Sequence, residues 1–274
     1  MKKILPGSVA LIVMSVPVLA ADMPVKAVPL PPAFSWTGCY VGLNVGYGWA
    51  RFRKSDVTRS QVTPVALTTS HPDFDFDDDG AVGGGQIGCN WQYGFWVWGL
   101  ETDLQVTSIE ARDRLPGLFG DITGRNELIF TEAQSALRWF GTARARLGWT
   151  VTPTTLLYVT GGFAYGRVNS HLGFGPTVSN QVTQVNFDDQ YHYGYTVGFG
   201  AEAKIAQNFT AKLEYLYVDL GSADYAFNNI GGTFTPGGAV ATANYTWNQR
   251  VDLHVVRLGL NYQFNWYETV VAKY

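Results

Sequence analysis

Near its C-terminus the chain reads Val256-Arg257-Leu258-Gly259-Leu260-Asn261-Tyr262-Gln263-Phe264. Val256, Leu258, Leu260, Tyr262 and Phe264 share one parity, and Arg257, Gly259, Asn261 and Gln263 share the other. Successive side chains of a strand point to opposite faces, so one face of this segment wants oil and the other wants water. A soluble antiparallel sheet alternates in the same way, but its apolar face needs a second layer over it. The sequence offers no helices or second sheet to supply that layer, and membrane lipid fits as the apolar solvent.

Seven upstream segments repeat the pattern, at about Thr37 to Trp49, Ala81 to Trp91, Trp96 to Val106, Leu137 to Trp149, Leu156 to Val168, Tyr193 to Ile205 and Phe209 to Leu220. Their connectors are very short (Gln92 to Phe95, Thr152 to Thr154, Gln207-Asn208) and very long in turn. That rhythm predicts an all-β fold, an eight-stranded antiparallel transmembrane up-and-down β-barrel over residues 37–264, with periplasmic turns and four long extracellular loops. An even strand number closes the sheet, leaves no edge in lipid and puts both barrel ends on the periplasmic side.

Composition agrees. Aromatic residues make up 15% of the 274-residue chain and charged residues only 15%, against roughly 25% charged in soluble proteins. Trp and Tyr are what bilayer interfaces select. The net charge of -3 is too small to imply a nucleic-acid partner.

The start, Met1-Lys2-Lys3 followed by an apolar run to Leu19 and Ala20, reads as a signal peptide over residues 1–20, with Pro6 and Pro17 arguing against a membrane anchor. Residues 21–36, with Pro24, Pro29, Pro31 and Pro32, read as a Pro-rich periplasmic leader, and residues 265–274 as a C-terminal tail.

The inward parity carries Glu101, Asp103, Arg144, Arg146, Glu202, Lys204, Lys212, Glu214 and Arg257. Eight strands leave an interior just wide enough for side chains to fill, so these charges are expected to form a luminal ion-pair network that plugs the barrel. The competing reading is a solute path gated by exchange of ion-pair partners.

Four other features invite chemistry. Asp75, Asp77, Asp79 and Gly80 begin a calcium-loop pattern, but its twelfth position is Gln86, so a solvated acidic loop is expected. His71, His171, His192 and His254 fall in loops or at strand mouths. His171 and His192 flank the third long loop, where they could converge on a metal or haem iron, against the plainer reading of surface residues. Cys39 and Cys89 lie on the same outward parity of one hairpin, in an oxidising compartment. A disulfide and two separate lipid-facing thiols both remain open until the register is known. No Ser/His/Asp spacing is recognisable, and Asp252 with His254 is the nearest catalytic candidate.

Phe34-Ser35-Trp36-Thr37-Gly38-Cys39-Tyr40-Val41-Gly42-Leu43-Asn44-Val45-Gly46-Tyr47-Gly48-Trp49 resembles the opening of small alphaproteobacterial outer-membrane barrels of the porin-family or OmpA-like type. Gly83 to Gln92, Trp139 to Gly148 and Lys212 to Gly221 resemble the same family. The resemblance implies a Gram-negative outer-membrane protein in contact with lipid, lipopolysaccharide and the barrel-assembly machinery, with no catalytic residue and no cofactor to carry over. Some relatives bind haemin, act as adhesins or support envelope integrity. Cys39 and Cys89 replace residues usually aromatic in that family, which favours a matched pair. Relatives often end on an aromatic assembly signal, here Phe264 or Tyr274. The leading expectation is a non-enzymatic envelope barrel that displays loops. Its rivals are a narrow porin for small solutes, a haemin or metal receptor, and a lipid-modifying enzyme.

Overall fold

The computed structural model describes residues 34–63, 67–70, 73–119, 129–176, 184–233 and 240–264. The expected signal peptide, the leader before Phe34, His71 and the tail with Tyr274 lie outside them.

The described strands are β1 (Gly38–Thr63), β2 (Leu67–Ser70), β3 (Phe74–Tyr93), β4 (Trp96–Thr107), β5 (Glu110–Phe119), β6 (Ile129–Thr152), β7 (Thr155–Pro176), β8 (Gln184–Lys204), β9 (Phe209–Thr233) and β10 (Val240–Phe264). Eight of them, β1-β3-β4-β6-β7-β8-β9-β10, form an antiparallel ring that closes where β1 pairs β10, from Cys39 opposite Phe264 upward. β2 extends the line of β3 along upper β1, and β5 extends the line of β4 along β6.

The wall has the expected polarity. Outward residues such as Leu43, Trp98, Phe199 and Leu258 are exposed, while Asn44, Glu101, Lys212 and Arg257 are buried. Trp91, Trp96, Trp98, Trp149 and Tyr262 girdle the short-turn end, and Trp49, Tyr193, Tyr195 and Tyr217 lie toward the other. Trp96 packs on Trp149 with ring centroids 5.5 Å apart. From Cys39 to Trp49 the outward set spans about the 9–11 residues that a strand needs to cross a bilayer. Beyond Trp49 that face turns charged, with Arg51 Nε 3.0 Å from Asp77 Oδ1 and, on β7 and β8, Arg167 Nη2 2.6 Å from Asp189 Oδ2.

The strands run well past this band, so much of what was expected as long loop is sheet. The acidic run is the clearest correction. Asp73-Phe74-Asp75-Phe76-Asp77 alternates, and in β3 Phe76 turns into the core while Asp75, Asp77 and Asp79 face out. An extended strand spaces alternate carboxylates by about 7 Å, too far for the tight turn of a calcium loop.

Above the band the ring divides. Among the described residues, β3 has no ladder to β5 above Val82, and β8 has none to β9 above Tyr195. β2 and β3, β1, β10 and β9 thus form one sheet, and β5, β6, β7 and β8 form the other. Gly221, at φ +68°, sits where β9 leaves β8, and a Cβ there would meet Tyr193 O at 2.5 Å. The two sheets enclose an apolar core that includes Phe52, Leu137, Phe140, Val168, Tyr225, Tyr245, Trp247 and Leu253. The second layer missing from the sequence reading therefore exists outside the bilayer, made by the chain's own strands facing each other.

Candidate functional site

The interior of the ring at membrane depth holds four carboxylates, Glu101, Asp103, Glu202 and Glu214, against four cations, Arg144, Arg146, Lys212 and Arg257. Lys212 Nζ lies 2.8 Å from both Glu101 oxygens. Arg144 Nη2 reaches Asp103 Oδ2 at 2.9 Å and also bonds Glu101, while its Nη1 lies 3.2 Å from Glu214. Arg257 places Nη2 2.6 Å from Glu214 and 2.8 Å from Asp103. Arg146 Nη2 meets Glu202 at 2.7 Å and stands 4.0 Å over the Tyr158 ring. Formal charges cancel, four against four. Buried ions need that balance, because an unpaired charge out of water carries a large desolvation penalty.

Polar side chains add further donors to these carboxylates. Tyr40 Oη donates to Glu101, Tyr158 Oη to Glu214 at 2.9 Å and Thr142 Oγ1 to Asp103 at 2.9 Å. Asn261 Nδ2 donates to Glu202 at 2.8 Å, and Asn261 Oδ1 accepts from Gln86 Nε2 at 2.6 Å. The sequence reading did not place Tyr40 and Tyr158 in this network. Their signal was available: each is an inward tyrosine set beside an inward glycine on the neighbouring strand. A Cβ at Gly88 would lie 2.5 Å from Tyr40 Oη, and one at Gly200 would lie 2.6 Å from Tyr158 Oη.

Buried apolar side chains lie beyond the network toward both ends. Toward the short turns Trp36, Val97, Leu156 and Tyr158 cluster with Phe34, and Trp36 N donates to Gln92 Oε1 at 2.9 Å. Toward the far end lie Phe140, Leu216, Val218, Leu253 and Val255, all buried.

Lys204 is not part of the network. It sits at the last residue of β8, where the inward row ends, with its ammonium 4.5 Å from the centre of the Phe34 ring.

The two candidate haem or metal ligands also part company. His171 is on the outward face of β7, packed edge-on to Phe187 at 4.4 Å, whereas His192 points inward from β8 and its Nε2 lies 3.0 Å from Tyr225 Oη. Both are in strand and not in loops, and opposite parity puts the barrel wall between them. His254 is outward in β10 and its Nδ1 bonds Tyr215 Oη at 2.7 Å, while Asp252 takes Arg53. The Asp252 and His254 pair therefore has other partners. Among the described residues, no cluster of three or more His, Cys, Asp or Glu is placed to hold a metal.

Cys39 and Cys89 stand directly opposite each other in the β1–β3 ladder and are joined by a 2.04 Å disulfide. The register that sequence left open brings them together.

Sequence comparisons with known proteins agree with this architecture. Residues 7–264 match the family model described as outer membrane protein beta-barrel domain. The 31 kDa outer-membrane immunogenic protein of Brucella melitensis biotype 1 is 35% identical over 270 residues, covering 96% of this chain and 100% of the relative. The 22 kDa outer membrane protein of Rhizobium leguminosarum bv. viciae is 32% identical over 211 residues, covering 76% and 75%. Among solved structures, the outer membrane protein OprG of Pseudomonas aeruginosa is similar at 12% identity and a TM-score of 0.40, covering 83% of this chain and 97% of that one. With a ring of eight antiparallel strands and a family match over nearly its whole length, this chain belongs to the outer-membrane β-barrel proteins of Gram-negative bacteria.

Proposed function

We propose that the protein is a non-enzymatic structural barrel of the envelope, with a plugged interior and an extracellular half that serves surface interaction. The observation that carries this is the charge-neutral network lying between the Trp36 cluster and the apolar core. Water and ions would have to cross both apolar layers to pass. The arrangement therefore favours a plug over a narrow porin. The Brucella relative is named an immunogenic outer-membrane protein, which supports a part exposed at the surface. The apolar wall is the contact for outer-membrane lipid and lipopolysaccharide, and the barrel-assembly machinery is the partner during insertion.

Planar-bilayer recording tests the reading. No steady conductance is expected, and a stable conductance abolished by Glu101→Gln or Arg144→Met would replace it with transport. A haemin titration addresses the receptor alternative. Binding that is lost in both His171→Ala and His192→Ala would overturn the assignment of these histidines to opposite faces.

A further inference from the structure

Where the two sheets of the extracellular half fail to pair, each seam is bridged by an aspartate side chain that accepts a backbone N–H from the facing strand. At the β3–β5 seam Glu110 N donates to Asp78 Oδ2 at 2.7 Å. At the β8–β9 seam Ala226 N donates to Asp188 Oδ2 at 3.0 Å, and Gln190 Nε2 holds the other oxygen at 3.0 Å. Both aspartates sit half-buried on the inward parity of their strands, at the rim of the apolar core. The two devices are alike although the segments that carry them are unrelated in sequence: Asp77-Asp78-Asp79 in one, Asp188-Asp189 in the other.

We propose that Asp78 and Asp188 are carboxylate clips that hold the two extracellular sheets together at their seams, and that acid loosens both seams while the membrane band stays closed. A bond from an N–H to an ionised carboxylate is about twice as strong as one to a neutral acceptor, so protonation weakens each clip without removing it. Among the described residues, few other bonds cross either seam. The β3–β5 seam adds the Ser108 and Ala81 backbone pair at 3.1 Å, with Ala81 N bonding Ser108 Oγ at 3.0 Å. The β8–β9 seam adds the His192 and Tyr225 contact, with Tyr225 Oη donating to Val168 O at 3.2 Å.

Among the described residues, few ionisable groups surround each clip. Asp78 faces Glu110 from β5, with Asp77 and Asp79 beside it on β3 and Tyr47 of β1 on the outward face, bonded to Asp79. The Glu110 carboxylate is turned away toward Arg112 and Arg138, and Asp77 toward Arg51. Asp188 faces Tyr225 from β9, with Asp189, itself paired to Arg167 of β7, and His192 beside it on β8. No cation among these bonds Asp78 or Asp188, so their hold on the seam rests on backbone donors. The apolar core still holds the sheets, and the loosening is therefore local to the edges.

Hydrogen exchange of the full chain in lipid nanodiscs tests this, read as protection factors so that intrinsic pH effects cancel. Protection at the Glu110 and Ala226 amides is expected to fall roughly fivefold to tenfold from neutral to acidic pH, while amides of the β1–β10 ladder hold steady. Asp78→Asn and Asp188→Asn keep a neutral acceptor. Each is expected to show pH-independent protection at its own seam, near the wild-type acid value, with the other seam unchanged. Alanine at either position should lower protection further at every pH. Wild-type protection that does not change with pH, or Asn variants that keep the wild-type pH dependence, would overturn the proposal.

Discussion

Replacing Arg257 by Met tests whether the luminal charges form a dry plug. The guanidinium donates through Nε to Glu214 at 2.7 Å and through Nη2 to Glu214 at 2.6 Å and Asp103 at 2.8 Å, and Nη2 lies 3.6 Å from Glu101. Methionine preserves much of the stem's volume and removes the cation, leaving four carboxylates facing three cations. In a buried site, breaking one partner out of a network costs about 3–5 kcal/mol, because the remaining charge is left uncompensated. In a wet lumen the same change would cost about 0–1 kcal/mol, the range of solvent-exposed pairs. Adding Glu214→Gln restores the balance at three against three while keeping an acceptor for Tyr158, so the double variant is expected to be less destabilised than the sum of the singles, with a coupling of about 1–3 kcal/mol. Urea unfolding of the refolded barrel in detergent micelles, followed by tryptophan fluorescence and heat-modifiable gel migration, measures all three. An Arg257→Met variant within about 1 kcal/mol of wild type, or strictly additive costs, would refute the dry-plug reasoning.

Leu216 is fully buried between the ion network and the apolar core, so Leu216→Ala is expected to cost about 2–5 kcal/mol in the same unfolding assay. A change below about 0.5 kcal/mol would mean that this layer is not packed. The Cys39–Cys89 bridge spans a sequence separation of 50, and closing a loop of that size is worth about 4 kcal/mol in the chain-entropy treatment. Cys39→Ser is therefore expected to lower the unfolding midpoint, and wild type with reductant should match it, whereas equal midpoints with and without the bridge would refute the estimate. Lys54, buried against Phe76 and Trp247 outside the membrane band, has its ammonium pushed down to about 7 by burial. An unfolded lysine titrates near about 10.4, so between these values the unfolded chain binds more protons and stability rises with pH, by up to about 4–5 kcal/mol. The difference in stability between wild type and Lys54→Met should accordingly shift in favour of wild type from pH 7 to pH 10, and a difference that stays constant would refute the assignment.

The wall of this barrel was legible in the chain because a strand in lipid has only two environments. Val256 to Phe264 alternates strictly for that reason, and the short turns at Gln92 to Phe95 and Gln207-Asn208 mark every second strand end. The inward charges Glu101, Arg144, Lys212 and Arg257 follow from parity alone. Parity does not say how far a strand continues once it leaves the bilayer. Beyond Trp49 the outward face turns polar, so Arg51, Asp77 and Asp189 read like loop although their inward neighbours Phe52 and Phe76 keep the same alternation.

What needed the tertiary structure was every relation between strands. Register set Cys39 opposite Cys89, parity on paired strands set His171 and His192 on opposite sides of the wall, and the end of the β8 row left Lys204 outside the network. The division into two sheets came from places where pairing stops, at Val82 and Tyr195. Local sequence encodes which solvent each side chain meets. Which strand edge finds a partner, and which is left for an aspartate to satisfy, depends on the closure of the whole ring.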